Sequence, residues 1–312
     1  MASRPTRRSA AARAFLLVLC AGLSSVPSGV RAQEQAATSF PFAVDGVYNE
    51  IETKYIFGFT DGADIGLEGE KALELETNAA WRKRSGRYMA LEQEVALEYV
   101  PTQNIGLEFA AHGVATRIKD VENMDDRSRV RASGLSAKFS YLLVGRGPES
   151  PVGLTFSVEP EWSRVEGDTG AATRALGATF KLIADAELIA NRLYAAVNFS
   201  YSPETAKAVT DPAWQRSSAM GLSGALAWRF TPIVTAGVEG QFFNAYDSLG
   251  FGAFQGRAVY VGPTLHVQVT RKIIVAAAYS AQIAGHALAD DRRLDLTNFS
   301  RHRARLKFEY EF

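Results

Sequence analysis

Cysteine is nearly missing from this sequence. The only one, Cys20, lies among the first residues, so nothing downstream can form a disulfide or a thiolate site. Histidine is scarce, with four in 312 residues, and the four are scattered, which leaves metal ligation little to work with. Hydrophobic runs are short. Ala14–Leu23 is apolar over ten residues, too few to cross a bilayer as a helix. No later run approaches the ~18 residues a spanning helix needs. Positive charge is not in excess either. Lys plus Arg and Asp plus Glu both number 34, and five of the arginines fall in residues 1–32, which hold no acid. Beyond that point 29 basic side chains face 34 acidic ones. A mildly acidic chain argues against nucleic acid as a partner, and no cofactor is expected.

What is present begins with an export signal. Arg4, Arg7, Arg8 and Arg13 precede the short apolar run, and Val30-Arg31-Ala32 has the small-residue form of a cleavage site. Residues 1–32 therefore read as a secretory signal peptide. Leu19 before Cys20 argues against lipid attachment. Residues 33–69 form a separate stretch, a periplasmic N-terminal segment or a partial plug. Within it, Asn49–Phe59 has the composition of a strand, and Thr60–Gly69 is rich in turn formers. Asp61, Asp64 and Glu68 with their glycines depart from calcium-loop spacing and read as a linker.

From Glu70 to Phe312 one pattern repeats: about a dozen alternating residues, then a turn. Twelve segments are expected, near 70–82, 87–100, 104–117, 131–144, 151–164, 173–186, 191–203, 216–229, 233–246, 256–270, 272–285 and 300–312. Every second connection is short, and most of the others are longer and polar. An exported chain with weak period-2 patterning and alternating loop lengths is expected to be all-β, a transmembrane antiparallel up-and-down β-barrel. Twelve strands keep both ends in the periplasm; fourteen is the alternative, and needs another strand in residues 33–49.

The two faces separate cleanly. Met89, Leu91, Val95, Leu97 and Tyr99 share one face of the second segment, with Glu92, Glu94 and Glu98 on the other. The first face should meet outer-membrane lipid, with Gln93 and Asn244 as its polar exceptions. Trp81, Trp162, Tyr201 and Tyr246 would ring the outer interface, and Tyr99, Tyr141, Trp228 and Phe312 the periplasmic one. The polar face gives the candidate lumen-lining residues: Glu74, Glu76, Glu92, Glu94, Glu108, His112, Lys138, Glu159, Glu161, Lys181, Glu239, His266, Arg303, Arg305 and Lys307. Closure of the barrel should set Glu74 and Glu76 beside the Arg303–Lys307 ladder. His112 and His266 read as hydrogen-bonding residues rather than metal ligands. Ser300 and His302 are spaced as a hydrolase pair would be, without any nucleophile motif.

The last strand carries a sorting pattern. Phe308, Tyr310 and Phe312 alternate up to an aromatic terminus, as in outer-membrane barrels whose final strand is read by the barrel-assembly machinery. Glu70-Lys-Ala-Leu-Glu-Leu-Glu76, Gly86-Arg-Tyr-Met-Ala-Leu-Glu-Gln-Glu94 and Leu97–Phe109 resemble the opening strands of uncharacterised proteobacterial outer-membrane β-barrels. Some barrels of that general type are labelled transporters of phenol meta-pathway degradation. The resemblance implies location and fold, and carries over no binding residue. The expected function is a non-enzymatic outer-membrane channel or transporter for an unknown small solute, through a narrow, charged lumen. The alternatives are a structural or surface-interaction barrel with a plugged lumen, its loops at 119–130, 204–215 and 286–299 binding a partner, and, further off, a lipid hydrolase.

Overall fold

Alternating exposure runs along every strand. The structure, a computed structural model, describes residues 51–147, 150–211 and 213–312; the signal-peptide reading of residues 1–32 lies outside them. The strands are β1 (Lys71–Trp81), β2 (Arg87–Thr102), β3 (Ile105–Lys119), β4 (Arg127–Val144), β5 (Val152–Val165), β6 (Ala172–Ile189), β7 (Leu193–Ala208), β8 (Gln215–Arg229), β9 (Val234–Tyr246), β10 (Phe254–Thr270), β11 (Ile273–Ala287) and β12 (His302–Glu311). Each pairs antiparallel with its chain neighbours, and β1 pairs with β12 from Ala72↔Glu311 to Trp81↔His302. The sheet is a closed barrel of twelve strands, not fourteen. Closure leaves no strand edge unpaired, as hydrocarbon requires.

Side-chain period and ladder agree. On β2, Met89, Val95, Leu97 and Tyr99 are exposed to the outside while Glu92, Glu94 and Glu98 are buried within. Gln93, a polar exception on the outer face, is satisfied within the sheet. It pairs across the ladder with Thr77, whose hydroxyl donates to Gln93 Oε1 at 2.6 Å, and Gln93 Nε2 donates to the Glu76 carbonyl at 2.9 Å. Strand limits differ most on β7, which runs to Ala208 rather than 203, and next on β4, which starts at Arg127 rather than 131. A bulge interrupts its pairing with β3 between His112 and Gly113, and an extra residue breaks the period-2 count there. Of the girdle aromatics, Tyr246 is not presented to lipid. Phe251 and Phe254 cover it at ring distances of 5.7 and 6.0 Å.

Both termini of the barrel lie at one end, where the Phe312 amide donates to the Lys71 carbonyl at 3.0 Å. Three turns at that end, the one expected to face the periplasm, are tight: 103–104, 190–192 and 271–272. At the other end, Gly86 adopts φ 62° beside the carbonyls of Lys119 and Asp120, where a Cβ has no room. The strand expected over 49–59 does not form among residues 51–59. A closed barrel offers no free edge to pair with, so the amides of this segment turn to side chains of the wall.

Candidate functional site

The interior is filled by residues 51–65 from the end that holds both termini of the barrel. This segment rises to Phe59 and Thr60, then returns to β1. Glu239 on β9 accepts the amides of Phe59 and Thr60 at 2.8 and 3.0 Å. Asn198 on β7 and the Asp61 backbone bond reciprocally at 2.6 and 2.9 Å. Thr155 on β5 donates to the Ala63 carbonyl at 2.5 Å, and the Ala63 amide donates to Asp185 on β6 at 3.0 Å. Gly58 passes so close to the wall that a Cβ would lie 2.6 Å from Ala278 and Thr264 and 2.8 Å from Glu239.

Charge pairs reinforce these bonds. Lys181 holds Asp61 and Lys54 holds Glu98. Lys54 also lies 3.7 Å from Glu309. Arg146, in the turn after β4, reaches into the mouth and bridges Asp64 and Asp185 at 2.9 Å each. Thr53 closes the same knot through its amide, 2.6 Å from Asp64. Phe59 lies under two guanidinium groups, Arg303 at 4.5 Å and Arg305 at 5.0 Å.

Every lumen-lining residue read from the sequence points inward, and all are buried except the half-buried Glu161. They do not line an open bore. Lys307 bonds Glu74 at 2.7 Å and Glu76 at 3.0 Å, and Arg305 bonds Glu76 at 3.1 Å. Arg303 departs from the expected ladder. Its register partner is Ala80, so its guanidinium turns to Gln241 at 2.7 Å and to the rings of Phe59, Phe243 and Tyr260. Glu74, Glu98 and Glu108 bring carboxylate oxygens within 4.8 Å of one another. Lys307, Lys54 and Lys138 each meet one of the three, so ammonium groups already occupy the place a cation would take. A second trio, Glu52, Glu70 and Glu311, gathers at the periplasmic mouth.

The histidines do not form reactive centres. His112 Nε2 lies 2.9 Å from the Ser136 hydroxyl, and its Nδ1 is 3.6 Å from Glu94. Ser136 donates to Glu159 at 2.9 Å, so its proton is directed to a carboxylate and not to the imidazole. His266 is buried beside the wall at Thr235. The Ser300–His302 pair is not assembled either. Ser300 donates to the His302 carbonyl at 3.2 Å, while the imidazole meets Tyr279 at 2.8 Å and stacks on Trp81.

The outer mouth is covered by residues 288–301 folded inward. Leu294, Leu296 and Phe299 are buried. Lys83 donates to the Thr297 carbonyl at 3.3 Å, Gln282 to the Asp295 carbonyl at 3.0 Å and Asn298 to the Gln255 carbonyl at 3.2 Å. Burial pushes the Asp295 carboxyl up and the Lys83 ammonium down from their ordinary ranges. A small, partly open recess among β2 and β4 to β7 has Glu92, Ser133, Glu161 and Glu204 in its lining.

Lys54, Asp61, Asp64, Arg146, Asp185 and Asn198 were missed from the sequence as members of this site. One signal was there. Lys181 is flanked in register by Ser157 and Ser200, and Asp185 by Gly153 and Ala196. A buried charge with no partner on either neighbouring strand requires one from elsewhere in the chain.

Solved structures with this architecture include the COG4313 outer membrane channel from Pseudomonas putida F1. It shares 11% identity and a TM-score of 0.53, covering 80% of this chain and 98% of that one. The β-domain of the Bordetella autotransporter BrkA shares 13% identity and a TM-score of 0.51, covering 78% of this chain and 100% of that one. Identities this low establish a common outer-membrane barrel fold and nothing finer. No functionally curated protein matches the chain. A family model described as "Family of unknown function (DUF6662)" matches residues 49–312, and the chain belongs to that family.

Proposed function

We propose that the protein is an outer-membrane channel for small solutes, held shut by residues 51–65 acting as a plug. The observation that carries this reading is how the plug is held. Three carboxylates, an ammonium group and a guanidinium bind it, through Glu98, Asp185, Glu239, Lys181 and Arg146. Such groups are stable in water once the plug withdraws, so the vacated wall would be a hydrated, charged path rather than an apolar one. Passage then requires the plug to shift and the lid of residues 288–301 to open as well. An aromatic solute of the phenol meta-pathway kind gains no support from this ionic wall.

Planar-bilayer recording of the exported chain tests the proposal. Wild type is expected to open rarely, and Arg146→Ala, which strips the clamp from Asp64 and Asp185, to raise the open fraction at least about tenfold. The second reading, a closed structural or surface-interaction barrel, is favoured by the lid over the outer mouth. Arg146→Ala that loosens the plug in hydrogen exchange, yet passes no current and no solute into liposomes, would establish that reading instead.

A further inference from the structure

Outward-facing charge is unevenly distributed around the outer rim. On β5 the outward residues Val152, Leu154, Phe156, Val158, Pro160 and Trp162 form an apolar file, and the next outward residue is Arg164. A file of that length, tilted as barrel strands are, spans roughly the 25 Å apolar band of an outer-membrane barrel. The neighbouring strands end the same way. Outward apolar residues give way to Arg174 on β6, Lys207 on β7 and Arg216 on β8. Four consecutive strands thus place a cation just beyond the band, at the level of the outer-leaflet headgroups.

These cations crowd one another. Arg174 and Lys207 are direct register partners. Thr205 pairs with Arg216, so Lys207 and Arg216 are diagonal neighbours. Like charges set opposite on a sheet are destabilising unless an anion lies between them. Arg164, Arg174 and Arg216 are exposed and Lys207 half-buried. Among the described residues none of the four joins an ion pair within 4 Å. Nearby acids are turned inward: Glu161, Glu166 and Glu204 line the internal recess. Exposed aromatic residues flank the stripe. Lys207 lies 5.9 Å from the Trp214 ring, and Phe251 is held over this face by the Ser218 hydroxyl donating to Gly250 at 3.0 Å. A second basic group stands at the same end of β2 and β3, where Arg87 is opposite Lys119 and Arg117 shares their outward face; it covers two strands rather than four, and the outer ends of β10 and β11 offer Arg257 opposite His286.

We propose that Arg164, Arg174, Lys207 and Arg216 form a docking surface for a phosphorylated glycolipid of the outer leaflet. Its phosphates would lie between the guanidinium and ammonium groups, and its acyl chains along the file below Trp162. The site depends on the barrel standing in the outer membrane and is independent of whether the lumen conducts.

The test uses the full chain extracted from outer membranes in mild detergent with EDTA, so that no divalent ion bridges phosphates. Bis-phosphorylated lipid A, its dephosphorylated form and inorganic phosphate are the probes. Native mass spectrometry reads bound lipid, and heat-modifiable gel mobility confirms that each variant is folded. Bound bis-phosphorylated lipid A is expected to weaken about fivefold for each cation replaced by Gln. It should nearly vanish in the R164Q/R174Q/K207Q/R216Q variant and be unchanged in R257Q. If the quadruple variant fails to fold, R174Q and K207Q singly must each show the loss. Equal retention by wild type and folded variants, equal binding of dephosphorylated lipid A, or full competition by inorganic phosphate at equal concentration would overturn the proposal.

Discussion

The lower and upper halves of the interior are closed by different chemistry. Below, the plug meets the wall through buried ions, Lys54 with Glu98, Lys181 with Asp61, and Arg146 with Asp64, set among small apolar clusters in which Ile56 and Phe57 meet Tyr194 and Ala227, and Tyr55 meets Ile274. Above, Tyr88, Ile118, Val121, Phe243, Tyr260 and Phe299 form an apolar cluster that also takes in Phe59 from the tip of the plug, and the lid is tied mainly by hydrogen bonds to backbone carbonyls. An ion that loses its partner can be rescued by water if water can enter. An apolar cluster has no such route, because water gives it nothing in return. The lower closure is therefore built to be exchangeable and the upper one to be persistent.

Arg146→Ala should break the lower closure most severely. It leaves Asp185 buried without its cation, and losing one member of a buried pair costs roughly 3–5 kcal/mol. Amide exchange in residues 51–65 should rise by orders of magnitude while the lid stays protected. Arg146→Met combined with Asp185→Asn removes both charges and should recover a large part of the loss, since the penalty belongs to the unpaired ion. Equal loosening of lid and plug would show that the two closures act as one.

Gly58→Val attacks the same half without removing a charge. The added atoms meet Ala278, Thr264 and Glu239, and overpacking of this kind costs about 1–3 kcal/mol. The expected readout is a plug that exchanges faster with its ion pairs chemically intact. A variant indistinguishable from wild type would mean that the segment can shift locally, and that fit at the tip does not hold it.

The contrast also marks how far the sequence could be read. Strand number, closure and the two faces were legible, because lipid on one side and polar groups on the other impose period 2 on every strand. The course of residues 51–65 was not. Their backbone follows no regular ladder, so no periodicity exists to detect. Asp61 and Asp64 looked like members of a turn-rich linker, yet each neutralises a cation contributed by a distant part of the barrel. Arg303 was misplaced for a related reason. Its residue type suggested a carboxylate partner, while the register set it opposite Ala80 and left aromatic rings within reach.

At the upper closure, Tyr260→Phe should have a smaller effect. It removes the hydroxyl that donates to the Ser300 carbonyl and keeps the ring against Phe243 and Arg303. Loss of one buried hydrogen bond of this kind costs about 1 kcal/mol. Exchange in residues 294–300 should rise several-fold with residues 51–65 unchanged, which would confirm that the closures are separable.

Asp290→Asn should give the smallest effect and the most specific pH signature. Asp290 accepts from the Arg292 backbone and side chain at 3.0 and 2.7 Å, and Arg84 lies 3.2 Å away. The hydrogen bonds from the Arg292 side chain do most to draw its carboxyl down to about 2. A carboxyl whose pKa is depressed by folding adds stability above its unfolded value, and that stability is lost as pH falls through the folded one. The latch on residues 288–293 should therefore hold at pH 5 and loosen between about pH 4 and 2. The Asn variant should show a slightly looser loop at neutral pH with no further change on acidification. Arg292 is in contact with solvent, so salt should weaken the wild-type latch as well. An identical acid transition in wild type and Asp290→Asn would move the titrating group to Asp295, whose carboxylate accepts the Thr297 and Asn298 amides at 3.2 and 2.9 Å, and place the latch on that buried carboxylate instead.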